Sequence, residues 1–283
     1  MREVELEDKY ADEPKPCLVN GPQALVRLLL AQKRRDEKAG LNTAGFVSGY
    51  RGSPLGYVDQ TLWDAEAWLK KNKIVFQPGI NEDLAATAVW GTQQISVFKD
   101  ATVDGVFAMW YGKGPGVDRS GDALKHGNYS GADRSGGVLV LLGDDHPGKS
   151  STVAHHSEQA MVAHQMPVLY PANVTEFMRF GLLGWALSRY TGCWCAFKLV
   201  NETIEQTSTA TTDSDFEIVN PAKGETPPEG LYYRGVFAAA RDEVIHKRYR
   251  IPLAQRFCRA NGIDRAEFGI RPTRLGLVTA GKA

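Results

Sequence analysis

Short apolar runs recur along the chain: Ala44 to Ser48, Ile74 to Phe76, Gly105 to Trp110, Gly137 to Leu142, Pro167 to Tyr170 and Cys193 to Val200. Between them, apolar residues return at helical spacing. Strands covered by helices on both faces read as near-continuous apolar runs. The pattern therefore predicts an α/β fold, a parallel sheet with helices on both faces, over residues 1–202. Helix starts are legible too. Asn20 caps a first helix, with Pro22 near its start and a stripe of Ala24, Leu25, Leu28 and Leu29 running toward Gly40. Asn81 opens a second (Leu84, Ala85, Ala88, Val89, Ile95), and Asn173 a third (Phe177, Phe180, Leu183, Leu187).

After Val200 the pattern changes. Thr203 to Gly230 is rich in Thr, Asp and Pro with few apolar anchors, and reads as a connector over the surface. Two basic amphipathic helices are predicted beyond it, around Tyr233 to Arg248 and Pro252 to Asn261, so that 203–270 forms a connector with helices. Leu275 to Gly281 then reads as a strand entering a Gly-rich turn. It is taken as the first strand of a further domain, 271–283; the alternative is an edge strand added to the first sheet.

Charge narrows the function. The chain of 283 residues carries 33 basic and 33 acidic side chains, which leaves no basic surplus for nucleic acid or an anionic membrane. Its apolar stretches, such as Gly181 to Leu187, fall well short of the ~20 residues that span a bilayer. The segment Met1 to Lys15 is hydrophilic, without the apolar core of a signal peptide, and the expected location is cytoplasmic. Cys17, Cys193, Cys195 and Cys258 are scattered and read as buried or free thiols, too few in any one place to hold an iron–sulfur cluster.

Candidate chemistry gathers in loops that follow predicted strands, where open α/β sheets bind ligands. Gly143-Asp144-Asp145-His146-Pro147-Gly148-Lys149-Ser150 matches a Walker A phosphate loop. Two carboxylates inside the cradle argue against phosphate, since like charges ~4 Å apart repel by about 1 kcal/mol even in bulk water. Gly49-Tyr50-Arg51-Gly52-Ser53-Pro54-Leu55-Gly56 and Tyr111-Gly112-Lys113-Gly114-Pro115-Gly116-Val117-Asp118-Arg119 are the other two loops; each also suits an ordinary Gly/Pro turn. His126, His146, His155, His156 and His164 crowd into one stretch, but no pair has the i, i+4 spacing of a helical metal site, and no metal centre is expected. Glu82 begins the helix that Asn81 caps. It either favours the helix dipole or serves as a buried carboxyl group that shares a proton with a heterocyclic nitrogen.

Taken together, Gly49-Tyr50-Arg51-Gly52-Ser53-Pro54, Asn81-Glu82, Gly114-Pro115-Gly116-Val117-Asp118-Arg119 and Gly143 to Ser151 resemble the pyrimidine-binding domain of thiamine-diphosphate-dependent 2-oxoacid:ferredoxin oxidoreductases, in particular the N-terminal part of the fused indolepyruvate:ferredoxin oxidoreductases. The resemblance extends in order over residues 17–283. It implies a thiamine-diphosphate-binding fold of the pyrimidine type, with Glu82 hydrogen-bonding N1′ of the aminopyrimidine and Tyr50, Gly52 and Pro54 forming the cofactor wall. It places Ser53, Arg119, His146, Ser150 and Ser151 on the substrate side, with Lys149 at the rim. The implied reaction is oxidative decarboxylation of an aryl or branched 2-oxoacid, with coenzyme A accepting the acyl group and ferredoxin the electrons.

The resemblance also implies shared labour. The diphosphate, its Mg²⁺ and the iron–sulfur clusters are held by other domains of such enzymes. Gly143-Asp144-Asp145 only imitates the Gly-Asp-Gly motif of the diphosphate-binding domain, because Asp145 stands where the backbone must approach phosphate. The chain is thus expected to need the remaining domains, to be inactive alone and to dimerise. Two other readings stay open: a regulatory or assembly module of the same fold, and a P-loop nucleotide hydrolase using Lys149 and Ser150.

Overall fold

The computed structural model describes residues 6–11, 16–149, 153–211, 215–268 and 274–282. Strand β1 (Pro16–Asn20) leads into α1 (Gly21–Lys38), then β2 (Thr43–Gly49), α2 (Val58–Asp64), α3 (Glu66–Lys71) and β3 (Ile74–Phe76). Next come α4 (Glu82–Thr92), β4 (Gly105–Lys113), α5 (Gly114–Arg119), α6 (Gly121–Ser130), β5 (Val138–Asp144), α7 (Glu158–His164) and β6 (Val168–Leu169). They are followed by α8 (Val174–Thr191), β7 (Cys195–Val200), α9 (Asn201–Ile204), β8 (Thr207–Thr211), α10 (Ala239–Ile245) and α11 (Ile251–Ala260).

The six apolar runs form one all-parallel sheet of order β3-β2-β4-β5-β7-β6. Side chains alternate across it with the period of two that a strand imposes. Phe107, Met109, Leu139, Leu141, Phe197 and Leu199 face a core shared with α1, α2 and α8, while Ala108, Trp110, Val138, Val140, Leu142 and Ala196 face a second core against α4, α6 and α7. The expected caps are present. Asn20 and Gln23 form a reciprocal capping box, Asn81 accepts from the Leu84 amide at 2.9 Å, and Asn173 from the Glu176 amide at 3.1 Å. The second helix ends at Thr92, and Ile95 belongs to a separate 3₁₀ turn.

Three parts of the C-terminal third differ from the sequence reading. Thr207–Thr211 is a strand, β8, pairing antiparallel with β1, because β-branched threonines suit an extended half-exposed edge despite their polarity. The two basic helices are one helical run that begins at Ala239, with a π turn at His246–Arg250 joining α10 to α11. Pro252 explains the join: it lacks an N–H and its ring crowds the carbonyl four residues back, so the ladder widens there and the helix continues. Residues 275–280 form no strand, and Leu275, Leu277 and Val278 lie exposed.

Residues after 203 still share the main core. Leu231, Leu253 and Phe257 are buried in the same cluster as Phe177 and Phe197. Among the described residues no helix is long and apolar enough to cross a membrane.

Candidate functional site

The sheet order reverses between β2 and β4: the chain passes from β2 outward to β3, then returns to the other side of β2 at β4. Such a switch point opens a crevice beyond the carboxyl ends of the two strands. Here β2 and β4 end in register, Gly49 opposite Tyr111, and β5 ends opposite β4, Gly143 opposite Lys113. All three glycine-rich loops therefore leave the sheet at this one edge. They also pack on one another. Leu55 is buried where a side chain at Gly143 would fall, and the Lys113 side chain lies against Gly52. Pro54 is buried, Ser53 is half-buried, and Tyr50 and Arg51 are exposed.

Glu82 is the first residue of α4, held there by the Asn81 cap and by the Trp110 indole N–H, which donates to the Glu82 carbonyl oxygen at 3.0 Å. The residue is only 8% exposed. Its carboxyl group lies directly against Gly116: a Cβ there would come within 2.7 Å of Oε1. Among the described residues the carboxylate has no hydrogen-bond or ion-pair partner. Its oxygens are not closed off from the surface, so the carboxyl group stays open to a ligand at the switch point.

A second group of polar side chains continues from the other end of α5. Gly114 makes room for the ring of His155, whose Nε2 pairs with Asp118 Oδ2 at 2.9 Å while Nδ1 stands 3.9 Å from Asp144. Asp144, the last residue of β5, accepts from the Ser157 amide at 2.9 Å and the Ser157 hydroxyl at 2.6 Å. Lys198 on β7 is fully buried. It lies 3.4 Å from Asp144 Oδ2, contacts Glu158 Oε1, and sits 4.9 Å from the centre of the Tyr170 ring. Burying an unpaired ammonium costs several kcal/mol, so these two carboxylates are what keeps Lys198 inside the sheet.

His146 and His156 stack at the mouth of this group, with ring centroids 4.3 Å apart. Burial, followed by the nearby charges of Lys198 and His156, lowers the pKa of His146 and favours its neutral form. Burial raises the Tyr170 hydroxyl, with Glu158 the largest electrostatic contributor.

No protein-family model matches the chain, and neither does any curated protein. Site geometry therefore carries the functional reading.

The Walker-like segment does not form a phosphate cradle in its described part. The Lys149 amide, which a phosphate would use, donates to Asp145 Oδ1 at 3.0 Å, so the loop's own carboxylate fills its anion site. Lys149 turns outward to Glu205 at 3.0 Å, and that contact raises its pKa. Ser150 and Ser151 lie outside the described residues.

The other predicted residues divide. Glu82, Gly52, Ser53 and Pro54 come together at the switch point, with Tyr50 at its edge, and His146 lies at the β5 end. Arg119 closes α5 as an exposed side chain, and among the described residues no hydrogen bond or ion pair joins it to the others. Of the crowded histidines, His126 and His164 stand apart on α6 and α7. Sequence reasoning missed Lys198 and Asp118. A signal for the first was present: Lys198 is the one charged residue in a strand otherwise written Cys195-Ala196-Phe197-Leu199-Val200.

Proposed function

We propose that this chain supplies the pyrimidine-side half of a thiamine diphosphate site in a 2-oxoacid:ferredoxin oxidoreductase of the indolepyruvate or arylpyruvate type. The observation that carries it is Glu82: a residue only 8% exposed at the switch point, whose carboxyl group fits into the space left by Gly116 and has no hydrogen-bond partner among the described residues. A P-loop function has no comparable support, since its amide is already occupied.

Bound thiamine diphosphate would supply the nucleophilic carbon that attacks the keto group of a 2-oxoacid. The chain's part is narrower. Glu82 would hold the proton on the pyrimidine N1′ nitrogen, fixing the tautomer whose exocyclic nitrogen takes up the C2 proton. Gly52, Pro54 and Tyr50 would wall the ring, and Ser53 would donate to a substrate oxygen. The stacked pair of His146 and His156 lies on the side where a carboxylate could be received. Arg119 joins the substrate wall only by a change in its surroundings, and Ser150 and Ser151 remain candidates by resemblance.

The diphosphate, Mg²⁺, iron–sulfur clusters, coenzyme A and ferredoxin belong in this reading to other domains or partners. Ile80 and Leu84, beside Glu82 in sequence, are strongly exposed and give those domains, or a second copy, an apolar surface to cover. The test is Glu82→Gln in the enzyme that contains this chain, assayed by arylpyruvate-dependent reduction of a one-electron acceptor with coenzyme A. Loss of about 10²–10⁴ in turnover is expected for a lost proton-transfer group. Unchanged turnover would reject the reading.

A further inference from the structure

At the end of β5, beyond Glu82, three side chains with metal-ligating atoms converge: His146 from the loop after β5, His156 from the loop before α7, and Glu158 at the first position of α7. One ligand atom from each lies within 4.8 Å of the others. No sequence spacing announces the group, because the two histidines are ten residues apart on a turning loop. We propose that His146, His156 and Glu158 bind one divalent transition-metal ion, Zn²⁺ or a close relative.

Unused lone pairs carry the argument. His146 Nε2 and Glu158 Oε2 are buried and have no hydrogen-bond partner. Glu158 is divided between two tasks: Oε1 contacts Lys198 while Oε2 is left over. That is the arrangement of a ligating carboxylate oriented by an outer hydrogen-bond donor. The positive charge of Lys198 is offset by Glu158 and by Asp144 at 3.4 Å, so the pocket does not repel a cation outright.

Donor chemistry selects the ion. Two imidazoles and one carboxylate suit Zn²⁺, Co²⁺ or Ni²⁺, whereas Mg²⁺ and Ca²⁺ take oxygen ligands. A tetrahedral ion with bonds of about 2.0–2.1 Å holds its donors roughly 3.3 Å apart. The three groups must therefore close up. The rings are now stacked, with an interplanar angle of 20°, so their in-plane lone pairs lie in nearly parallel planes. Binding one ion therefore requires the exposed His156 ring to turn out of the stack. The three protein ligands leave a fourth position for water or an oxygen ligand.

This inference does not rest on the thiamine reading, and its test contains no thiamine. The chain is incubated with Zn²⁺ and passed through gel filtration, and affinity is measured by chelator competition. Co²⁺ substitution then reports the ligand set by visible absorption. Wild-type protein is expected to retain one equivalent of Zn²⁺ and to give a Co²⁺ spectrum without thiolate charge transfer. His156→Ala changes an exposed side chain, and it should weaken Zn²⁺ by more than the ~10–100-fold typical of losing an outer-shell partner. Glu158→Gln keeps an oxygen for Lys198 and should weaken it as well, while His126→Ala should not. Folded wild-type protein that retains no Zn²⁺ would overturn the proposal. So would His156→Ala and Glu158→Gln proteins that bind like wild type, or a thiolate band assigning the ion to cysteine.

Discussion

Two regions of this molecule bury charged side chains, and they treat them differently. Under the C-terminal helix, Arg250 donates from Nε to the Leu231 carbonyl at 2.8 Å and from its terminal nitrogens to the carbonyls of Asn128, Tyr129 and Ser130 at 3.2, 2.7 and 3.4 Å. Those last three belong to the final turn of α6, whose carbonyls have no partner within the helix. Arg250 thus closes one helix while fastening another, with four of its five N–H donors given to backbone carbonyls. At the carboxyl edge of the sheet, the half-buried His146 and Glu158 each keep one buried polar atom, Nε2 and Oε2, without a hydrogen-bond partner, and the Glu82 carboxyl group has none among the described residues. The Arg250 fork serves the fold; the open valences at the carboxyl edge are where a ligand would complete the site.

The contrast breaks if the helix anchor turns out dispensable. Arg250→Met strands the carbonyls at the end of α6 and should lower stability by at least about 3 kcal/mol, read from urea unfolding, because hydrogen bonds to charged groups are each worth roughly 1.5–3 kcal/mol. The same variant should retain metal binding at the ligand edge wherever it remains folded.

Acid probes the same anchor through His246. The ring is buried, stacked on Tyr129 at 4.9 Å, and paired through Nε2 with the Gln165 carbonyl at 2.7 Å; burial depresses its pKa from 6.5 to about 4. The unfolded chain therefore takes up a proton before the folded one does. Full stability holds above pH 6.5 and falls as pH drops through the window to about 4, by about 3 kcal/mol in all. His246→Phe should flatten that dependence in a series of urea titrations.

Gly116→Ala sharpens the comparison from the other side. The backbone there is helical and tolerates alanine, yet the new methyl would meet the Glu82 side chain at 2.6–2.9 Å. Displacing a catalytic group by about 1 Å can cost on the order of 10²-fold in rate. We expect a turnover loss of that order with little change in Tm. Smaller effects close the series. Asn20→Ala removes a capping box and should cost about 1 kcal/mol. Lys149→Ala, on an exposed pair with Glu205, should leave both Tm and turnover unmoved.

Much of the fold was legible for a physical reason: a buried parallel sheet writes itself as apolar runs, and helix starts need side-chain acceptors such as Asn20, Asn81 and Asn173. The convergence of Glu82 with the loops at Gly52 and Gly116 could be anticipated, because strand ends in such a sheet share one edge. The pairing of Thr207–Thr211 with β1 could not, since a polar edge strand resembles a loop until its partner is known. Nor could the π turn at His246–Arg250, where a proline bends the run without ending it. The histidine crowding held a real signal mixed with accident. His146, His155 and His156 meet at the sheet edge, while His126 and His164 do not, and only the turning of the loop after β5 separates them.

The central claim is that Glu82 carries the proton relation to the cofactor pyrimidine. It is tested most directly by exchange of the C2 proton of thiamine diphosphate in deuterium oxide, followed by rapid quench and NMR, in the enzyme containing this chain at saturating cofactor and Mg²⁺. Exchange faster than in free cofactor for the wild type, slowed by about 10²–10⁴ in Glu82→Gln, is the predicted result. Equal exchange rates in the two proteins would contradict the account.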